Sequence, residues 1–395
     1  MNNLAMRRPF LTALALSLGA AVSLGLSRFS YALLLPPMRG DLEWTYLLAG
    51  AMNTGNALGY FIGALMAPAL MRRFGAHRIL VAGALLAALF MLVSGFVTDT
   101  SMLMSQRILS GVASAFTFIS GGVLAARLGG MHPRHAGFLI GLYYGGAGFG
   151  IVLSALLVPA TLAAAGSFGA AHGWQWAWLA LGGACLLATL GMTAPAQHIP
   201  DAPLQSAVHG HFRIRSFGYG LAAYFMFGAG YIGYMTFVVA LLKEQGMSAS
   251  MITLFYTMLG AAAMASSRIW AGMLDYFKGG QSLAILNGLL ALATLLPALT
   301  AMPLVVFASG ILFGGVFLSV VASTTTLVRH NLPPSAWSAG ISAFTTIFAF
   351  GQIAGPSAVG WIADGAGGLQ RGLVFSALTL FIGALLALRQ RALQT

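Results

Sequence analysis

Long apolar segments alternate with short polar breaks along almost the whole chain. A helix that crosses the hydrocarbon core of a bilayer needs about 20 mainly apolar residues, and the pattern contains twelve segments of suitable length. They lie near residues 10–35, 47–71, 78–97, 101–125, 135–159, 174–192, 216–242, 249–275, 281–299, 303–327, 336–362 and 370–388. The pattern therefore predicts an all-α membrane protein with twelve transmembrane helices.

The composition agrees with this class of protein. Of the 395 residues, 59% are hydrophobic and only 7% are charged, which is too apolar for a protein whose whole surface faces water. No small-residue cleavage site follows the first apolar segment, so we expect it to remain as a span and not as a removable signal peptide. The single cysteine, Cys185, offers neither a disulfide framework nor a cysteine-based metal site.

The net charge of +12 does not indicate nucleic-acid binding, because the basic residues are scattered through short loops and form no stripe with stacking aromatics. Short cytoplasmic loops of membrane proteins are enriched in Arg and Lys. Placing the N-terminus inside puts thirteen basic residues on the cytoplasmic side and three, Arg39, Lys243 and Arg371, outside. We therefore expect both termini to be cytoplasmic.

The longest polar interval, residues 193–214, divides the chain into two halves of six predicted spans each, 1–192 and 215–395. It holds three prolines and three histidines, and we interpret it as a cytoplasmic linker. The histidine spacings of 11 and 2 residues in a flexible segment do not favour a metal site. We expect no metal and no cofactor.

Internal similarity supports a duplication of the two halves. A shift of 203 residues aligns "HAGFLIGLYYGGAGFG" (135–150) with "SAGISAFTTIFAFGQI" (338–353), and "RILSG" (107–111) with "GILFG" (310–314). Duplicated halves are a frequent plan of secondary transporters.

Local motifs resemble those of the major facilitator superfamily over essentially the whole chain. "LMSQRILSGVASA" (103–115) is similar to the fourth-span motif, in which an arginine precedes a glycine by four residues. "LMRRFGAHR" (70–78) resembles the signature loop in Arg73 and Gly75, although Arg72 stands where aspartate is usual. The matching loop of the second half, "GMLDYFKGG" (272–280), keeps its acid, Asp275.

Two longer stretches, 27–60 and 225–238, resemble the bacterial YbfB/YjiJ-like branch of this superfamily. The resemblance implies two six-helix bundles, transport by alternating access and a bacterial inner membrane. It also implies gating or coupling roles for Arg73, Gly75 and Asp275, and a role in proton coupling for Arg107. A monomer is expected.

Three arginines, Arg28, Arg107 and Arg268, fall inside predicted spans, whereas no Asp or Glu lies well inside one. A charge in the membrane is expensive unless it has a partner or water, and a guanidinium group matches a carboxylate or phosphate. We interpret the arginines as substrate-binding groups for a small anion. "RIWAG" (268–272) also resembles an eighth-span pattern of monocarboxylate and oxalate carriers in the superfamily.

A structural alternative exists for these arginines. Arg28 and Arg107 lie within about 10 Å of the outer ends of their predicted spans and could extend to the interface. Asp41, Glu43 or Asp99 could meet them there. Arg268 is expected near the midplane, where its side chain is farthest from either interface.

Polar and aromatic residues at helical spacing are further candidates. Arg28 and Tyr31 share a helix face, and Asn53, Asn56 and Tyr60 share another. We expect the tyrosines of the first and seventh spans to line a substrate cavity, namely Tyr31, Tyr224, Tyr231 and Tyr234. The alternative is that such groups hold neighbouring helices together, and for Asn53 and Asn56 we favour it.

The sequence thus predicts a secondary transporter for a small organic anion or carboxylate, with protons as a possible coupling ion. Uncoupled transport stays open, because no span has a carboxylate or a histidine near its middle. The alternative is a proton-coupled exporter of amphipathic or toxic compounds. No catalytic constellation or ATP-binding glycine loop is present, so an enzyme is not expected.

Overall fold

A computed structural model describes residues 8–200 and 213–393 of the chain. The described residues form fourteen α-helices, which we number in chain order. The first seven are α1 (Pro9–Ala20), α2 (Tyr31–Asp41), α3 (Tyr46–Phe74), α4 (Ala76–Ser94), α5 (Thr100–Met131), α6 (Ala136–Ser167) and α7 (Gly173–Gln197). The others are α8 (Gly218–Glu244), α9 (Ala249–Ile269), α10 (Ala271–Tyr276), α11 (Gln281–Leu299), α12 (Pro303–Asn331), α13 (Trp337–Ala363) and α14 (Gly368–Leu388).

Eleven helical segments among the described residues are long and apolar enough to cross a membrane. The second predicted span forms the 29-residue helix α3, which is less apolar because it carries Asn53, Asn56 and Tyr60. Large apolar side chains cover exposed helix faces; Leu187, Leu190 and Leu304 are 72%, 71% and 77% exposed. These faces suit hydrocarbon, and the chain is an all-helical, multi-pass membrane protein as predicted.

The first span contains a feature that the apolar pattern did not predict. Between α1 and α2 the chain forms a π-helical segment, Ala21–Phe29, which includes Arg28. The backbone N–H of Ser30 here reaches back five residues to the Gly25 carbonyl. Segments of π-helix are rare and often occur at functional sites. The Gly25 backbone also lies directly against Gly150 of α6, where a Cβ atom would overlap the neighbouring chain.

Two other boundaries differ from the pattern. The eighth predicted span, 249–275, is interrupted at Trp270, so that α9 ends at Ile269 and the short helix α10 follows. Helix α7 continues to Gln197, so the first residues of the predicted linker are helical. The remainder of the linker between 201 and 212 lies outside the described residues, and the predicted division of the chain at 193–214 stays a prediction.

The described residues group into two compact units. Unit 1 consists of the described parts of Met1–Glu43, Gly55–Leu204 and Ala249–Met264. In it α4 packs on α5 and α7, and α6 packs on α1 and the π-helical segment. Helix α3 crosses α5 closely, because a side chain at Gly59 would overlap the Ile108 carbonyl oxygen.

Unit 2 consists of the described parts of Trp44–Thr54, Gln205–Ser248 and Ala265–Thr395. Here α14 packs on α8 and α11, and α13 packs on α8. Residues 46–54 of α3 belong to this unit, where the Asp364 carboxylate accepts hydrogen bonds from the backbone N–H groups of Tyr46 and Leu47 at 2.7 and 2.8 Å. An acidic side chain there satisfies donors that have no partner within the helix.

Candidate functional site

Arg28 is buried inside unit 1, with only 2% of its surface exposed. Its guanidinium group lies over the ring of Tyr60, 5.6 Å from the ring centroid. Its Nε and Nη2 atoms are buried and have no hydrogen-bond partner among the described residues. Arg28 therefore lies inside unit 1 with two donors that no group of the described residues accepts.

Arg107 on α5 is similarly buried, at 4% exposure. Its Nη1 donates to the Ser27 carbonyl oxygen at 2.9 Å. The guanidinium group lies 4.6 Å from the centroid of the Tyr31 ring and 5.7 Å from that of Trp178. It is also close enough to Arg28 for the two charges to repel each other. Arg107 thus ties the π-helical segment to α5, next to a second buried cation.

A cluster of serines joins the same two elements. The Ser27 hydroxyl lies 2.9 Å from that of Ser110 and 2.8 Å from that of Ser114. The Ser23 hydroxyl donates to the Ser114 carbonyl oxygen at 2.8 Å. The sequence contained a signal for this cluster, because Ser23 and Ser27, like Ser110 and Ser114, are four residues apart and share a helix face.

No carboxylate neutralises Arg28 among the described residues. Asp41, at the end of α2, accepts from Trp174 Nε1 at 2.5 Å and pairs with His172 Nδ1 at 2.7 Å. Asp99 caps α5 by accepting from the Met102 backbone N–H at 2.8 Å. Arg28 therefore does not pair with Asp41 or Asp99 at the outer interface, as the structural alternative would require.

Two further groups at this place were not recognised as site residues from the sequence. Trp178 on α7 is 1% exposed, and its indole Nε1 has no partner among the described residues. Asn56 on α3 is fully buried; its Nδ2 donates to the Arg107 carbonyl oxygen at 3.1 Å, while its Oδ1 is unpartnered. Asn53, on the same predicted face, belongs to unit 2, where its Nδ2 donates to the Thr236 hydroxyl at 2.7 Å.

The third predicted arginine has a different environment. Arg268 is the penultimate residue of α9, belongs to unit 2 and is exposed. The helix break at Trp270 follows at once, and the Trp270 Nε1 donates to the Gly315 carbonyl oxygen at 2.7 Å. The predicted continuous span is thus interrupted directly after Arg268, and the expected depth of Arg268 in the membrane stays a prediction.

The predicted gating residues lie at helix junctions. Gly75 joins α3 to α4 with φ of +85°, a conformation that side chains disfavour. The guanidinium group of Arg73 lies 5.2 Å from the centroid of the Phe74 ring. Asp275 is exposed on α10.

The tyrosines of the seventh predicted span are buried within unit 2. Tyr224 stacks on Phe348 with centroids 4.9 Å apart, and Tyr231 stacks on Phe227 at 4.7 Å and hydrogen-bonds to Gln352. Tyr234 stacks on Phe313 at 4.1 Å. Its hydroxyl lies 2.8 Å from that of Ser309, which itself donates to the Ala293 carbonyl oxygen. Tyr234 therefore makes the contacts of a packing residue.

The chemistry of the unit 1 cluster is dominated by donors. Arg28 and Trp178 present N–H groups that have no acceptor within residues 8–200 and 213–393, and the positive charges of Arg28 and Arg107 interact. An unpaired buried donor costs about 1–3 kcal/mol, and more when it is charged. The arrangement is suited to a ligand that brings negative charge and acceptor oxygens. Among the described residues, no group of three or more His, Cys, Asp or Glu side chains is arranged to hold a metal ion.

Comparisons with known proteins place the chain in a family. Residues 20–388 match a family described as "Uncharacterised MFS-type transporter YbfB". Among solved structures, a bacterial homologue of the human lysosomal transporter Spinster is 17% identical with a TM-score of 0.71, and covers 96% of each chain. A mutant of the nucleoside transporter NupG is 14% identical with a TM-score of 0.75, over 95% of this chain and 99% of its own.

At these identities the two solved structures establish the fold alone, which is that of the major facilitator superfamily. The family match extends over most of the chain and adds the general activity, which is secondary transport of a small molecule and not enzymatic catalysis. The chain belongs to the YbfB family of major facilitator superfamily transporters.

Proposed function

We propose that this transporter carries a small organic anion, with a carboxylate as its charged group, and that Arg28 binds this group directly. The observation that carries the proposal is the buried guanidinium group of Arg28, whose Nε and Nη2 have no partner among the described residues. These two nitrogens lie on one edge of the planar guanidinium group. From this edge the group can donate two parallel hydrogen bonds to a carboxylate.

The neighbours of Arg28 support an anion over a cation or a neutral solute. Arg107 adds a second positive charge, and the Trp178 Nε1 adds an uncharged donor. An incoming carboxylate would relieve the repulsion between the two arginines, whereas a cation would increase it. Tyr31 and Tyr60 hold the two guanidinium groups from their ring faces.

The other predicted residues take secondary roles in this proposal. Arg107 positions the π-helical segment through the Ser27 carbonyl oxygen. Arg268, Tyr224 and Tyr231, which belong to unit 2, are proposed as further substrate-binding residues. Arg73, Gly75 and Asp275 are proposed to act in gating between two access states. We propose the bacterial inner membrane as the location, with both termini in the cytoplasm.

An exporter of amphipathic compounds is the second candidate. The rings of unit 2 favour it, because Tyr224, Phe348, Tyr231 and Phe227 form a continuous aromatic cluster with centroid distances of 4.7–5.8 Å. Such a cluster suits planar apolar molecules.

Uptake into proteoliposomes tests the proposal. Purified wild-type protein and the Arg28→Ala variant are reconstituted and screened with labelled carboxylates, neutral nucleosides and lipophilic cations. We expect transport of at least one carboxylate, lost in the variant. Transport of lipophilic cations or neutral aromatic compounds alone, equal in both proteins, would contradict the anion proposal and favour the exporter.

A further inference from the structure

The amide of Asn56 is only half satisfied inside unit 1. Its Nδ2 donates to the Arg107 carbonyl oxygen at 3.1 Å. Because a carbonyl oxygen can only accept, this bond fixes which end of the amide is the acceptor. That acceptor, Oδ1, has no hydrogen-bond partner in the described part of the chain, and the residue has no exposed surface. The amide thus presents one oriented, unused acceptor.

The packing of α3 places this acceptor near the region that contains Arg28 and Arg107. Asn56 and Tyr60 are four residues apart on α3, and neighbours at this spacing lie about 5–6 Å apart on one helix face. The Tyr60 ring holds the Arg28 guanidinium group. The backbone of α3 at Asn56 lies against Gly111 of α5, where a Cβ atom would overlap the Asn56 carbonyl oxygen. Asn56 therefore lies between Tyr60, whose ring contacts Arg28, and the backbone of Arg107.

The unpartnered atoms of this region form an unequal set. Those without a hydrogen-bond partner among the described residues include three donors, Arg28 Nε, Arg28 Nη2 and Trp178 Nε1, and one acceptor, Asn56 Oδ1. A simple carboxylate would satisfy donors only and would leave the Asn56 acceptor without a partner. A ligand that satisfies these atoms carries a hydrogen-bond donor in addition to its carboxylate.

The charge of the region selects the kind of donor. An ammonium group would lie close to two guanidinium groups, and like charges at such distances repel each other. A hydroxyl group supplies the same donor without charge. We propose that Asn56 Oδ1 accepts a hydrogen bond from a substrate hydroxyl, and that the transported anion is a hydroxy-substituted carboxylate. This inference rests on the proposed function, because it assumes that Arg28 binds the carboxylate.

Matched pairs of acids test the role of Asn56. Lactate and propionate, 3-hydroxybutyrate and butyrate, and malate and succinate each differ in one hydroxyl group. Their dissociation constants are measured with purified wild-type protein by thermal shift and calorimetry. A site built to bond a hydroxyl leaves a buried acceptor unpaired when the hydroxyl is missing, so for at least one pair we expect the hydroxy acid to bind about 5- to 150-fold more tightly.

Substitution of Asn56 should remove this preference and keep carboxylate binding. In Asn56→Leu, which has a similar volume, and in Asn56→Ala, the two members of the preferred pair should bind within about twofold of each other. Asn287→Ala is the matched control, since Asn287 is also fully buried with an unpartnered amide but lies in unit 2. It should leave the preference unchanged.

The outcomes separate this inference from the proposed function. Absence of carboxylate binding, or binding that Arg28→Ala leaves unchanged, contradicts the proposed function. If carboxylates bind through Arg28 but the wild type prefers no hydroxy acid, the role of Asn56 is overturned and the proposed function stands. A preference for the hydroxy acid that persists in Asn56→Leu would also overturn the role of Asn56. The wild-type comparison needs no variant, so it decides the matter even if the substituted proteins fail to fold.

Discussion

The guanidinium group of Arg28 lies over the ring of Tyr60, 5.6 Å from its centroid, and this contact joins the π-helical segment to α3. Because the aromatic face attracts the cation without using its N–H groups, Arg28 is oriented while its Nε and Nη2 stay unpartnered. A buried guanidinium group that is oriented in this way, with two donors unused, is suited to bind a ligand.

Substitution of Tyr60 should therefore weaken anion binding through Arg28. Tyr60→Phe keeps the aromatic face and should leave carboxylate affinity within about threefold of the wild type, whereas Tyr60→Leu should lower it by about 5- to 30-fold. Calorimetry with the tightest carboxylate measures both. Tyr219→Leu, at an exposed position of α8 in unit 2, is the control. Equal affinities in Tyr60→Phe and Tyr60→Leu would show that the ring does not orient Arg28.

The two buried arginines should differ in their effect on stability. The Nε and Nη2 of Arg28 have no hydrogen-bond partner among the described residues, and Arg107 repels its charge, so Arg28→Leu should keep or raise the unfolding temperature without ligand. Arg107 bonds to Ser27 and lies over Tyr31, so Arg107→Leu should lower it. Thermal unfolding in one detergent compares them. A lower unfolding temperature in Arg28→Leu than in Arg107→Leu would reverse these roles.

Tyr234 should stabilise unit 2 without contacting the substrate. Its hydroxyl bonds to Ser309 within the unit, so Tyr234→Phe should lower the free energy of unfolding by about 0.5–1.5 kcal/mol and leave transport unchanged. Tyr219→Phe, which removes an exposed hydroxyl, is the control for stability. A marked loss of substrate affinity in Tyr234→Phe, with stability unaltered, would indicate that Tyr234 contacts the substrate.

The predicted orientation in the membrane rests on the thirteen-to-three bias of basic residues and can be measured separately. Single cysteines introduced in a Cys185→Ala background at 205 and at 366 should differ in labelling by a membrane-impermeant maleimide on intact cells. We expect labelling at 366 and none at 205 until the membrane is permeabilised. The reverse pattern would invert the topology.

The sequence alone was sufficient to predict the helical spans. Every backbone polar group in a membrane has to be satisfied internally, so an apolar stretch of sufficient length forms a helix. The predicted segments correspond to helices whose ends agree or differ by a few residues: 281–299 coincides with α11, whereas 303–327 is extended to Asn331 in α12. The interruption at Trp270 and the π-helical segment could not be predicted, because they depend on contacts such as that of Trp270 with Gly315 and that of Gly25 with Gly150.

The candidate site was only partly predictable. Arg28 and Arg107 were recognised because a charge in an apolar segment needs an explanation. Their neighbours depend on the depth at which α3, α5 and α7 pack, which no helical periodicity encodes. For this reason Trp178 was missed and Asn56 was interpreted as a packing residue, although its Oδ1 is unpartnered. Arg268 lies in the other unit, at the end of α9.

The central claim is that Arg28 binds the carboxylate of the substrate. The most direct measurement is the dissociation constant of the tightest carboxylate and of its neutral amide, determined by calorimetry for wild type, Arg28→Lys and Arg28→Ala, with Arg371→Ala as the control for an exposed arginine. We predict that wild type prefers the carboxylate, that Arg28→Ala weakens its binding by about 10- to 100-fold, and that Arg28→Lys restores part of the loss. Equal affinity for the carboxylate in wild type and Arg28→Ala would contradict the claim.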